Sequence, residues 1–113
     1  METISFEDFK KVEIKIGKIV SAQKVENSEK LLVLEVDFGQ DLDGQPCKRQ
    51  IVSGIAKYYA IDDLIGKECP FVVNLEPKTL AGLESQGMIL CADDETPVLL
   101  HPQKEVKEGS IVK

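Results

Sequence analysis

Apolar residues recur along the chain at two spacings. Near the start Ser5 precedes FEDFKK with Asp8 three residues on, a variant of the capping box in which Asp replaces the usual Glu. Phe6 and Phe9 then fall on one side of a single helical turn. From Val12 the period drops to two: Val12, Ile14 and Ile16 alternate with Glu13, Lys15 and Gly17, which predicts a strand continuing through KIVSAQKV. Gly17 within it predicts a bulge or sharp bend, the device that lets a small sheet curl toward closure. LLVLEVDFG (31–39) reads as a second strand, and GQDLDGQP (39–46) as the hairpin loop that ends it. CKRQIVSG (47–54) returns as a third strand. AKYYAIDDLIG (56–66) is a helix candidate closed by Gly66. CPFVVNL (69–75) and GMILCAD (87–93) are two further strands, separated by EPKTLAGLESQ (76–86) as a long loop. VLLH (98–101) and the closing QKEVKEGSIVK predict one or two extra strands or a docked tail.

Three strands, a short helix and two strands is the order of a five-stranded Greek-key OB barrel, here all-β with one or two short helices and a C-terminal β extension. An SH3-like barrel or a small sandwich gives similar runs, so the pattern alone leaves these open. The barrel is expected over about residues 12–93, within a single domain of 113 residues. Composition agrees with an ordinary globular chain: 42% hydrophobic, 30% charged, with apolar residues spread throughout. No uncharged apolar stretch approaches the ~18 residues that span a bilayer. METISFEDFKK lacks the apolar core of a secretory signal, so a cytoplasmic location is expected.

Catalytic chemistry finds little footing. Cys47, Cys69 and Cys91 are odd in number, form no CxxC pair and sit in apolar stretches, as buried reduced cysteines do. His101 is the only histidine, and nothing in the spacing orients it toward a cysteine nucleophile. There is no HExxH, no Ser-His-Asp set and no phosphate-cradling glycine loop. A binding module with no metal or cofactor of its own is expected, rather than an enzyme.

The string NLEPKTLAGLESQGMIL (74–90), preceded by IVSGIAKYY (51–59) and opened by DFKKVEIKIGKIVSAQKVENSEKLL (8–32), resembles the tRNA-binding domain family. The likeness runs from about Phe6 to Lys113, and SQGMIL and EGSIVK bring it nearest to the C-terminal domain, or separate β-subunit-like form, of bacterial methionyl-tRNA synthetase. In the family's long-loop motif, Asn74, Pro77, Lys78, Gly82, Ser85, Gly87 and Met88 stand on the expected positions. The resemblance implies an OB barrel whose open face and loop receive tRNA, with the catalytic domain or subunit of the synthetase as a further partner. It also implies a homodimer joined through residues 1–11 and 94–113. The CsaA chaperones resemble this chain too, which makes a protein-binding dimer the alternative function.

The residue chemistry suits those roles. Asn74 and Ser85 offer short donors and acceptors to a phosphate, 2′-hydroxyl or base edge. Met88 packs against a base or sugar, and Lys78 supplies charge. Ser53 matches the family's Ser-Gly-Ile element and is placed on the binding face, with Ile55 in the core. Lys30, Lys48, Arg49 and Lys57 are further candidate phosphate contacts, whereas Tyr58 and Tyr59 are expected to pack the short helix onto the barrel. Many relatives carry additional basic residues where this chain has Thr79, Leu80 and Ala81, and Glu76 and Glu84 flank its one lysine there. With a net charge of −6, the chain repels a polyanion at long range. Weak binding directed by shape is therefore expected.

Overall fold

A computed structural model describes all 113 residues. Helix α1 (Phe6–Phe9) is one turn, capped by Ser5, whose Oγ accepts the Asp8 N–H at 3.1 Å. Asp8 does not complete a capping box; its carboxylate meets Lys11 Nζ at 3.2 Å. Phe6 and Phe9 do share a side, but neither reaches the core.

Strand β1 (Ile14–Lys24) organises everything after it. Its first half pairs antiparallel with β4 (Glu68–Val72) and its second half with β2 (Leu32–Gln40), which in turn pairs with β3 (Pro46–Ser53). The change of partner needs a bend, and the register slips between Ile19 and Ser21, not at Gly17 as the sequence predicts. Gly17 serves packing instead: a Cβ there would lie 2.7 Å from Phe38 Cε1 and also strike Val36. Strand β2 keeps period two, sending Leu32, Leu34, Val36 and Phe38 inward. With Ile19, Ile51, Leu64, Cys69, Phe71 and Ile89 they form one core, in which Phe38 and Phe71 meet edge-to-face with ring centroids 5.4 Å apart.

Residues 56–66 form no α-helix. Only Ile61–Asp63 makes a 3₁₀ turn, with no side-chain cap at Ala60. The backbone here is committed elsewhere: the Gly66 N–H donates to Ile19 C=O at 2.7 Å, and Leu64 is fully buried. The predicted loop 76–86 contains a hairpin, β5 (Lys78–Leu80) against β6 (Leu83–Ser85), turning through Ala81 and Gly82 at φ 49° and 81°. Two central residues with positive φ are the type I′ signature.

The predicted strand 87–93 divides. Strand β7 (Met88–Ile89) pairs with β4, whereas β8 (Cys91–Asp94) leaves the barrel to pair with β9 (Thr96–Leu99). Tyr59 blunts the exposed edge of β9, its hydroxyl donating to Pro97 C=O at 2.7 Å and accepting the Leu99 N–H at 3.1 Å. The C-terminal extension ends in β10 (Ile111–Val112), paired with the start of β1.

Neighbouring strands thus run β3-β2-β1-β4-β7, a sheet curled far enough to bring β3 back to the segment before β7. Closure there uses few ladder bonds. The Gln86 N–H donates to Gln50 C=O at 2.8 Å, the Gln50 N–H to Gln86 Oε1 at 2.9 Å, and the Val52 N–H to Ser85 Oγ at 2.9 Å. This is the all-β, OB-like barrel expected, with short side-chain staples at its seam.

Candidate nucleic-acid interface

The seam leaves a groove of about 540 Å³ between the end of β3 and the β5–β6 hairpin. Its walls come from Ser53 and Gly54 on one side and from Leu75, Glu76, Lys78 and Met88 on the other. Four sequence-predicted residues therefore meet: Ser53, Lys78, Ser85 and Met88. Hairpin register explains this, because Lys78 lies directly opposite Ser85, and Ser85 is stapled to Val52 next to Ser53.

The four are not equivalent. Ser85 is buried; besides the Val52 N–H it holds, its Oγ donates to Gly87 C=O at 2.9 Å. The sequence offers it as a donor and acceptor to RNA; here the fold engages it within the chain. Met88 is 47% exposed and Lys78 is fully at the surface, so these remain open to a ligand. Gly87 beside them has φ 149°, and a Cβ on it would lie 2.8 Å from Val72 C=O, so close backbone packing demands glycine there.

Asn74 is engaged within the chain as well. It lies outside the groove; its Oδ1 accepts the Glu13 N–H at 2.8 Å, and its Nδ2 donates to Lys11 C=O at 2.6 Å. Both ends of the amide are satisfied by the segment entering β1. Arg49 is likewise committed: Nη1 donates to Val73 C=O and, at 3.1 Å, to Gln86 C=O, tying β3 to the segments after β4 and before β7. Its charge stays at the rim but is fixed in place.

Lys48 lies next to Arg49, opposite Asp37 in register and 3.8 Å from Glu35, so its charge is largely answered within the sheet. The two border a second recess beside the groove, where Leu75 and Pro77 form the connection. Lys30 and Lys57 lie toward the Ser53 end: Leu32 pairs with Ser53, and Lys30 C=O accepts the Ala56 N–H at 3.0 Å. Lys30, Lys57 and Lys78 form no ion pair, and of the three only Lys78 lines the groove. Leu75, Glu76, Leu80 and Gly54 were missed as lining residues. Three of them belong to the 74–90 string itself, but only the hairpin turn shows which side chains face Ser53.

The cysteines and the histidine offer no rival site. Cys69 Sγ lies 3.7 Å from His101 Nδ1, yet that ring nitrogen is 2.8 Å from Glu68 C=O and must donate to it. Burial, with the nearby Cys91 thiol as a second cause, pushes Cys69 from 9.0 up to about 12, so no thiolate forms at neutral pH. Cys91 is pushed up by burial as well. All three cysteines are free, and no cluster of three His, Cys, Asp or Glu side chains is placed to hold a metal. No helix is long and apolar enough to cross a membrane.

A curled antiparallel barrel-like sheet with an amphipathic groove at one seam, Lys78 in its lining, defines an OB-type binding module. Residues 14–111 match the model of the family described as "Putative tRNA binding domain", and the chain belongs to that family. Over its full length it is 46% identical to the methionine–tRNA ligases of Thermococcus onnurineus and Pyrococcus furiosus, spanning about 15% of each. Among solved structures, a MetRS related protein from Pyrococcus horikoshii aligns over 100% of both chains, with 38% identity and a TM-score of 0.90. The chaperone CsaA of Bacillus anthracis aligns over 99% of this chain and 100% of its own, with 31% identity and a TM-score of 0.83.

Proposed function

We propose that this chain is the tRNA-holding module of, or accessory to, a methionyl-tRNA synthetase, and that it carries no catalytic groups of its own. The observation that supports this best is the meeting of Ser53, Lys78 and Met88 in one open groove, in a chain of the tRNA-binding family. Ser85 and Arg49 hold the seam beside that groove, and Lys48 adds charge next to it. With three to five phosphates neutralised, the log–log salt slope is only about −2 to −4, so affinity is low. The module works by raising the effective concentration of tRNA near a catalytic unit and by pairing two copies through the apolar residues at its two ends. Of those residues, Ile4, Phe6 and Ile111 are more than two-thirds exposed.

A gel-shift titration with tRNA at low and moderate salt tests this reading. Lys78→Ala is expected to weaken binding severalfold. Met88→Ala is expected to weaken it with the slope unchanged. Unaltered affinity in both variants removes the groove from the interface. No shift of any tRNA, with an unfolded polypeptide bound instead, favours the chaperone function of the CsaA relative.

A further inference from the structure

The groove is poorly built for a phosphate. Lys78 is its one cation, and Glu76 lines it as well, so the two charges cancel. Neither is engaged in an ion pair, and both are exposed. Half-exposed Leu75 and Met88, Ser53 and Gly54 line the groove too. A space of about 540 Å³ with apolar walls and a few convergent polar groups suits a compact planar ligand that is itself both donor and acceptor. A phosphate facing Glu76 would meet repulsion, whereas an amino group there finds an acceptor.

We infer that the groove takes a single unpaired nucleobase bearing an exocyclic amino group, its face on Met88 and Leu75 and its pairing edge on Glu76 and Lys78. This deepens the tRNA reading above and rests on it. Cytosine shows the fit. Its N4 amino group donates to the Glu76 carboxylate, while its O2 and N3 accept from the Lys78 ammonium. Uracil fits poorly, because its lone N–H is flanked by two carbonyl oxygens that would face the carboxylate. A base within a duplex has its pairing edge occupied and its faces stacked, so helical RNA is excluded from the groove. Lys30 and Lys57 are then left for the flanking phosphates.

Fluorescence anisotropy with three labelled RNAs tests the inference: one stem with a cytidine loop, the same stem with a uridine loop, and the stem as a blunt duplex. Full tRNA is measured alongside. The cytidine loop is expected to bind about fivefold or more above the uridine loop, with the blunt duplex weakest. Glu76→Gln should bring the cytidine-to-uridine ratio close to one. Met88→Ala should weaken both loops by about tenfold, as loss of a base-packing surface does, without altering the salt slope. Binding of duplex and loop alike, with tRNA still bound, overturns the base pocket and leaves the tRNA reading standing. So does a cytidine preference that survives Glu76→Gln. Failure to bind tRNA at all overturns both, and full displacement of the cytidine loop by a reduced, unfolded polypeptide would assign the groove to protein.

Discussion

At the scale of single residues, the polar side chains that hold the barrel shut are those that look, in sequence, most suited to touching RNA. Asn74 and Ser85 have the donors and acceptors such a contact needs, and the fold engages both: Asn74 at the exposed entry to β1, and Ser85 at the buried seam, where an unpaired main-chain N–H costs about 1–3 kcal/mol. Cys69 gives a residue-scale prediction. Its proton is held to about pH 12 in the folded protein, whereas an unfolded chain releases it near the ordinary value of 9.0. Above pH 9 the unfolded state binds fewer protons, so stability falls as pH rises, by up to about 1.4 kcal/mol per unit until the folded thiol titrates. Urea unfolding of the wild type and of Cys69→Ala between pH 8 and pH 11 should show their stability difference shrinking as pH increases. A difference independent of pH would mean the thiol is not protected by burial.

Among elements, the hairpin at 78–85 decides where the lysine and the serine of the motif stand, and it turns through an alanine in a left-handed conformation. Alanine is disfavoured there by about 1 kcal/mol relative to glycine, since its Cβ crowds the following carbonyl. Ala81→Gly is therefore expected to raise the midpoint of thermal unfolding by a few degrees and to leave the groove intact. A lowered midpoint would argue that the turn is not type I′. The same alanine explains why the sequence reads as a loop: Asn-Gly announces a two-residue hairpin, and Ala-Gly does not. Strand β2 was legible because one face is core and the other polar, so period two survives in Leu32, Leu34, Val36 and Phe38. Tyr59 to Gly66 was not, because Tyr59, Leu64 and Gly66 obey distant partners rather than a local helix period. The site divided along the same line. Lys78 and Met88 are legible by their place in a motif, whereas Glu76 reads in sequence only as an opposing charge and joins Ser53 in one lining through the fold.

Over the whole molecule, many acids stand in turns, and much of the exposed apolar surface lies near the two ends of the chain. In the turns the acids have local work: Asp41 Oδ1 accepts the Asp43 and Gln45 N–H groups, each at 2.9 Å, and Asp62 and Asp63 sit in the 3₁₀ turn. A net charge of −6 can therefore coexist with an unpaired Lys78 in the groove. The apolar excess lies where the chain begins and ends. Ile14 pairs with Val112 and Lys15 with Ile111, so β10 runs beside the strand that follows α1, and Ile4, Phe6, Phe9, Val12, Ile111 and Val112 all stay exposed. A cluster of that size on a small chain is what a two-fold interface would cover, each copy presenting the same patch to the other. Sedimentation equilibrium is expected to give twice the chain mass for the wild type. Phe6→Asp with Ile111→Asp is expected to give the single-chain mass, with little loss of stability because neither side chain touches the core. If two linked grooves engage one tRNA, or two linked tRNAs engage one synthetase pair, the same double variant should weaken tRNA retention by more than the loss of either groove's own contacts. A wild type that sediments as a single chain at micromolar concentration would leave the apolar ends without a partner copy and confine the affinity to one groove.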